Sequence, residues 1–407
     1  MNKKVLGLVF FTVFLDLVGF GIIIPIQPFY AELLGASPST VTLLGGSYSL
    51  MQFLFAPFWG RLSDRIGRRP VMLVSVGCSC VGYLIFGFAT ELEWLFAARM
   101  LAGLGGANIG TAHAVIADTT TSEHRAKGMG LIGAAFGLGF TLGPAMGGGM
   151  AQFGLAAPAF LASALCVVNW FGILFLLPET CPKGKVSQVG QKNRPGFSLK
   201  ALKHAARHQN VPIFFSLYLI LTIAFASMEQ VLGLFIEKTW VTSTVGTLED
   251  FANAKQAAKL TAYVLIVIGI TSILIQGGLI GRLARRFGER TLLKAGTVLI
   301  GLSLLAIPFT GSGPFVWLLG VSFVMAIGSG ISNPSLSSLL SQSVDDDEQG
   351  GVMGLGQSLS ALGRVIGPAI AGFLFEMNHG LPFWVGAALM LVCVALTFQV
   401  RPVAKAA

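Results

Sequence analysis

The sequence predicts an all-α membrane protein of twelve transmembrane helices in two pseudo-symmetric six-helix halves, and three observations carry that expectation. Of the 407 residues, 54% are hydrophobic and only 11% charged, against roughly 25% charged in a soluble chain, so the surface cannot be coated for water. The apolar runs are long and continuous, which fits helices and excludes the short alternating strands of a barrel. Lysine and arginine gather in short clusters between those runs, where the loops of a membrane protein hold them. The net charge of +9 therefore belongs to loops, and nucleic acid is not an expected partner.

A crossing helix needs about 20 mostly apolar residues for a hydrocarbon core of roughly 30 Å. Charged and turn-rich breaks cut the chain into candidates at 5–30, 40–60, 71–90, 94–117, 126–150 and 157–178. A second set follows at 212–236, 260–281, 291–310, 314–341, 350–376 and 381–400. The first begins after Lys3 and Lys4 as a signal peptide would, but it is too long for such a core and lacks a small-residue cleavage site, so a retained span is expected. The second ends at Gly60-Arg61 and the third starts after Arg68-Arg69-Pro70. Glu93 and Asp118 bracket the fourth, Arg125 and Lys127 mark the start of the fifth, and Pro178-Glu179 closes the sixth. Glu237-Lys238 ends the seventh, Lys259 and Arg282 flank the eighth, and Arg290 precedes the ninth. Gly313-Pro314 opens the tenth, Asp345-Asp346-Asp347-Glu348 separates it from the eleventh as a solvated turn, and Arg401 follows the twelfth. Between spans seven and eight, 237–259 is longer than a tight connection needs and reads as a surface helix around Leu248 to Lys259.

Placing both termini in the cytoplasm puts 22 of the 27 Lys and Arg residues on that side. Lys238, Lys255 and Lys259 fall in one outer loop, and Arg99 and Arg364 lie within spans. Residues 179–211 carry seven basic side chains against Glu179 and read as a cytoplasmic linker between halves 1–178 and 212–407. Cys78, Cys80, Cys166, Cys181 and Cys393 are odd in number and lack paired spacing with histidine, so neither a disulfide framework nor a metal site is expected. No cofactor is expected, and no catalytic constellation lies in the soluble segments. Gly103-x-Gly105-Gly106 sits inside a span and cannot cradle phosphate, so an enzyme is not expected.

The halves repeat. At an offset of 224, Gly139-Phe-Thr-Leu-Gly143-Pro144-Ala-Met-Gly147-Gly148 lies over Gly363-Arg364-Val-Ile-Gly367-Pro368-Ala-Ile-Ala-Gly372. At an offset of 221, Gly60-Arg-Leu62-Ser-Asp64-Arg65-Ile-Gly67-Arg68-Arg69 lies over Gly281-Arg-Leu283-Ala-Arg285-Arg286-Phe-Gly288-Glu289-Arg290. Two such halves suit a transporter that rocks about a central site.

Gly60-x-Leu62-x-Asp64-Arg65-x-Gly67-Arg68-Arg69-Pro70 resembles the signature loop of the major facilitator superfamily. Gly139-x-x-x-Gly143-Pro144-x-x-Gly147-Gly148 is similar to the motif of its proton-driven drug antiporters, and Arg99-x-x-x-Gly103-x-Gly105-Gly106 resembles a third signature. Asp16 followed by Gly19-Phe20-Gly21 and Pro25 resembles the tetracycline-resistance branch. The resemblance implies that Asp64 latches against the start of span 11 near Gly350 and Gly351, and that Arg68 pairs with Asp118. It also implies that spans 5 and 11 lie at the interface between the halves. Spans 3 and 9 carry no acidic residue and span 8 no histidine, departures that point away from tetracycline itself.

A charge near the bilayer centre costs a few kcal/mol, so intramembrane ionisable residues are functional candidates. Asp16, roughly 17 Å into span 1 at 1.5 Å per residue, and Glu229 in span 7 are candidates for the coupling proton or for attracting a cation. Arg99 can reach the surface beside Glu91 and Glu93 or turn inward, and Arg364 is a candidate counter-ion for either acid. His113 can relay protons or bond within its helix. Gln27, Gln52, Asn108, Gln230, Asn333 and Gln357 can orient a ligand. The function expected is a secondary transporter, a proton-coupled antiporter exporting a hydrophobic or cationic small molecule. Its partners are substrate, protons and the bilayer of a bacterial inner membrane, and the chain is expected to act as a monomer. The alternative is gradient-driven uptake of a nutrient.

Overall fold

The computed structural model describes residues 3–119, 122–180, 205, 207–241, 247–344 and 349–400. Most of the expected linker, Cys181 and the acidic stretch 345–348 lie outside the described residues. The described residues are helical apart from short turns and connections, with no strand among them. The first elements are α1 (Lys3–Ile23), α2 (Gln27–Leu33), α3 (Pro38–Ile66), α4 (Arg68–Phe88), α5 (Leu92–Gly106), α6 (Ile109–Thr119), α7 (Ser122–Met150) and α8 (Ala157–Leu176). They are followed by α9 (Val211–Trp240) and α10 (Thr247–Leu274), which runs through a π-helical turn, Ile275–Leu279, into α11 (Ile280–Phe287). The last are α12 (Glu289–Ala306), α13 (Val316–Ser341), α14 (Gln349–Met377) and α15 (Leu381–Gln399). Among the described residues, ten helical stretches are long and apolar enough to cross a membrane. The expected spans 94–117 and 126–150 take the form of α5 with α6, and of α7.

Three expectations are corrected. Span 1 is not one helix: Pro25, which lacks an N–H donor, sits in a turn between α1 and α2 closed by the Ile26 N–H on the Ile23 carbonyl at 3.1 Å. Span 4 breaks at Ala107-Asn108, directly after Gly105-Gly106, residues with little helix propensity. The surface helix expected around Leu248 to Lys259 is the first part of α10 and continues without interruption into span 8.

Contacts gather the chain into two compact units, Met1–Lys192 with Leu232–Gly269, and Asn193–Val231 with Ile270–Ala407. In the first, α1 packs on α7 and α8, α4 lies between α5 and α8, and α3 lies on α5. Lipid offers apolar side chains no reason to leave it, so close backbone approach must hold the helices together. A Cβ at Gly139, Gly143 or Gly147 of α7 would stand 2.5 Å from Leu17, 2.7 Å from Gly21 and 2.2 Å from Ile22 of α1. In the second unit, Gly363 and Gly367 of α14 meet α9 in the same manner, at 2.9 Å from Thr222 and 2.8 Å from the Ile223 carbonyl. Ser227 Oγ donates to the Gly367 carbonyl at 3.1 Å. The repeated Gly-Pro rows thus build one seam twice, α7 on α1 and α14 on α9. Gly148, at the end of the first row, faces Ala262 of α10.

Candidate functional site

Asp16 stands half-buried on α1, and two carboxamides hold it. Asn108 Nδ2 donates to Oδ2 at 2.9 Å, and Asn169 Nδ2 of α8 donates to Oδ1 at 3.2 Å and to the Thr12 carbonyl at 3.3 Å. The break between α5 and α6 puts Asn108 outside the regular ladder, where its side chain reaches α1. Gln52 of α3 fixes the broken end by donating to the Gly106 carbonyl at 3.0 Å. Asn108 and Asn169 are each only 1% exposed, and neither Oδ1 has a hydrogen-bond partner among the described residues. With both amide NH2 groups committed to the carboxylate, the cluster offers oxygen acceptors to anything entering it.

Arg99 turns inward. It is 2% exposed, ruling out the surface position beside Glu91 and Glu93, and its guanidinium lies 4.6 Å from the Tyr48 ring and 5.5 Å from the Phe20 ring. Two aromatic faces therefore support the charge. Tyr83, buried near Gly19, lies within electrostatic reach of Tyr48, Cys166, Arg99 and Asp16. His113 bonds to the backbone of Ile109 in its own helix. Gln27 is buried in α2. Glu229, Gln230, Asn333 and Arg364 lie in the second unit: Glu229, Gln230 and Arg364 are half-buried, whereas Asn333 and Gln357 are exposed.

At the junction of α3 and α4, Gly67 adopts φ +106°, a conformation that favours glycine, so the chain turns sharply and Arg68 begins the next helix. Arg68 is 3% exposed and distributes its donors over three partners. These are Asp64 at 2.6 Å, Ser63 Oγ at 2.7 Å and Asp118 at 3.1 Å. Glu179, just beyond α8, accepts from the backbone N–H groups of Arg68 at 2.9 Å and Arg69 at 3.2 Å, capping α4 where the helix dipole is positive. A Cβ at Gly67 would stand 2.3 Å from that carboxylate, so glycine also makes room for the cap. The Arg69 guanidinium donates to the Leu174 carbonyl. Arg65 is exposed, and a side chain at Gly60 would meet open space.

The second unit repeats the junction with altered charge. Arg285 occupies the place of Asp64, and Glu289, in the place of Arg68, accepts from Ser338 Oγ at 2.5 Å and Gln342 Nε2 at 2.8 Å. Arg68 ties α4 both to α3 and to α6; in the second unit Glu289 ties α12 to the end of α13, with the charge of the central residue reversed and neutral partners.

The sequence matches the Major Facilitator Superfamily over residues 9–279 and 239–407. The chain belongs to that superfamily. Within it, the class C tetracycline resistance protein of Escherichia coli is 33% identical over 390 residues, covering 94% of this chain and 93% of that protein. Multidrug resistance protein 2 of Bacillus subtilis (strain 168) is 29% identical over 397 residues, covering 97% and 95%. Among solved structures, the human organic anion transporter MFSD10 (TETRAN) matches with a TM-score of 0.69 and 25% identity, covering 97% of this chain and 99% of that one. This superfamily member is an integral, multi-pass membrane transporter rather than an enzyme, and a small molecule is its cargo.

Sequence reasoning missed Asn169, Tyr48, Tyr83 and Glu179. Asn169 had a signal, an amide in the middle of an otherwise apolar span. Glu179 had a weaker one, a lone acid directly after a span on the face that carries the basic loop.

Proposed function

We propose that this chain is a proton-coupled antiporter that exports a hydrophobic, cationic small molecule by alternating access. The reading rests on one observation: a carboxylate deep in α1 held by two amides, whose own carbonyl oxygens face no hydrogen-bond partner among the described residues. Such a cluster accepts hydrogen bonds and positive charge, which is what a proton and a protonated amine both bring. The names of the similar resistance proteins agree with export of this kind. Arg99, held by the Phe20 and Tyr48 rings, adds a buried positive charge to the same cluster, where Tyr83 is within electrostatic reach of both Arg99 and Asp16.

In this reading the halves 1–178 and 212–407 rock about a basic cytoplasmic linker, and the protein acts as a monomer in a bacterial inner membrane with both termini inside. Arg68 holds Asp64 at the cytoplasmic face, where Asp64 latches against the start of α14 in the outward-open state. Glu229 and Arg364 serve the second half of the path. The purified protein in proteoliposomes, given lipophilic amines, quaternary cations and neutral amphiphiles, is expected to move protons when an amine or cation is supplied. Export without proton movement would overturn the antiport mechanism. Accumulation in the direction of the proton gradient would favour nutrient uptake instead.

A further inference from the structure

Lys255 and Lys259 of α10 form a pair of cations that the transport mechanism above does not use. They are four residues apart, so helical spacing puts both on one face, one turn from each other. With Gln152, Gln256, Leu260 and Tyr263 they line an open groove of about 540 Å³ between α10 and the turn that follows α7. None of these residues is acidic. Lys255 Nζ donates to the Gln152 carbonyl at 3.1 Å and lies 4.8 Å from the Phe251 ring, and Lys259 Nζ lies 6.0 Å from the Tyr263 ring. An ammonium carries three donors, so both keep donors to spare. Neither lysine is in an ion pair among the described residues. Glu249 and Asp250 precede Lys255 by six and five positions, off the three- and four-residue spacings that bring helical side chains together.

The groove sits at the rim of an apolar stretch. Lys259 directly precedes the apolar run 260–281, and Phe251–Phe287 as a whole is long and apolar enough to cross a membrane. Tyr263, 43% exposed, follows one turn later, and the same side of α10 continues through the half-buried Ile266 and Val267. At 1.5 Å per residue, Lys255 and Tyr263 are about 12 Å apart along the axis, enough to cross a headgroup layer of about 5–8 Å and enter the hydrocarbon. An aromatic ring one turn inside a lysine is what a membrane–water interface favours. On the expected topology only three of the 27 basic residues face outward, and two of them are here.

We infer that this groove binds an anionic phospholipid, its phosphate held between the Lys255 and Lys259 ammonium groups and one acyl chain laid along Tyr263, Ile266 and Val267. Gln152, Gln256 and Tyr263 carry further donors suited to phosphate oxygens. A zwitterionic lipid brings an ammonium of its own to a place that already holds two, so a net negative headgroup such as phosphatidylglycerol is preferred. Because Lys255 also ties α10 to the Gln152 carbonyl, the lipid sits on the joint between α10 and the end of α7. Assignment to the outer leaflet rests on the topology proposed above; the site itself does not.

The test uses the full-length protein in phosphatidylcholine nanodiscs that hold a small fraction of phosphatidylglycerol with a photoactivatable group on its acyl chain. Crosslinks are located by mass spectrometry of chymotryptic peptides, and the yield on residues 260–267 is normalised to the total on the chain. That yield is expected to fall about fivefold in Lys259→Gln and about 25-fold in Lys255→Gln/Lys259→Gln. It is expected to stay at the parent level in Lys238→Gln, which removes the same charge from an exposed position of α9 outside the groove. Phosphatidylcholine carrying the same photoactivatable chain is expected to label 260–267 about tenfold less. Equal labelling by the two headgroups overturns the proposal, and so does a double variant that labels like Lys238→Gln. Loss of the signal on adding inorganic phosphate assigns the groove to a soluble anion and also overturns it. The headgroup comparison is made on the parent, so it decides even if a variant fails to fold. Neither substrate nor gradient is involved, so failure of proton-coupled export in proteoliposomes leaves this result standing, and the reverse also holds.

Discussion

Asn108 donates to Asp16 across 2.9 Å from the residue at which span 4 stops being a regular helix. An unbroken helix from 94 to 117 would carry Asn108 in the ladder of its neighbours. The interruption, pinned by Gln52 on the Gly106 carbonyl, makes Asn108 the residue from which α6 starts, its carbonyl accepting from the Ala112 N–H at 3.0 Å while its side chain reaches α1. A cost in local helix regularity thereby positions the amide on the carboxylate.

Asp16→Asn is expected to reduce substrate-dependent proton movement in proteoliposomes at least tenfold while purified yield stays near that of the parent. Asn169→Ala removes one donor to a charged group, worth about 1.5–3 kcal/mol, and should weaken substrate affinity by roughly ten- to a hundredfold. Equilibrium binding of a lipophilic cation to both variants separates the two effects. Unchanged binding in Asn169→Ala would remove that residue from the site.

The α1–α7 seam should tolerate no side chain. Gly143→Ala places a Cβ within van der Waals overlap of Gly21, and overpacking of this kind costs about 1–3 kcal/mol. Gly110→Ala, where a Cβ meets nothing within 4 Å, is the neutral comparison. Thermal unfolding followed by tryptophan fluorescence should show a lower midpoint for the first and no change for the second.

Glu179→Ala deletes the cap on α4, a loss of about 0.5–2 kcal/mol. Glu179→Gln keeps one accepting oxygen and is expected to fall between it and the parent. The ordering of the three midpoints is the readout, and equal midpoints would show that the cap contributes nothing.

Arg68 divides a planar fork among Asp64, Ser63 and Asp118, a task lysine cannot perform with a single ammonium. Arg68→Lys should therefore lose most of the transport rate although charge is kept. In a double-mutant cycle, Arg68→Ala with Asp118→Ala is expected to be non-additive by about 0.5–3 kcal/mol. Strict additivity would mean that the pair acts independently.

The helical membrane character was legible because it depends on bulk quantities, charge content and the length of apolar runs. The Gly-Pro rows were legible for a related reason, since their repeat at a constant offset is visible without any coordinates. Breaks inside spans were not, because Gly105-Gly106 and Pro25 occur in membrane helices that do not break, and tertiary partners such as Gln52 decide the outcome. Arg99 stayed ambiguous between surface and interior until Phe20 and Tyr48 appeared around it. Asn169 and Glu179 act on residues more than a hundred positions away, and no local pattern reports such a meeting.

The seams of α7 on α1 and of α14 on α9 set glycine main chain against the main chain and the Cβ atoms of the facing helix. Such a joint is blind to cargo. Whatever amphiphile this chain carries, these seams need not change with it, and a change of diet can be written into the amides and rings around Asp16 without recutting them.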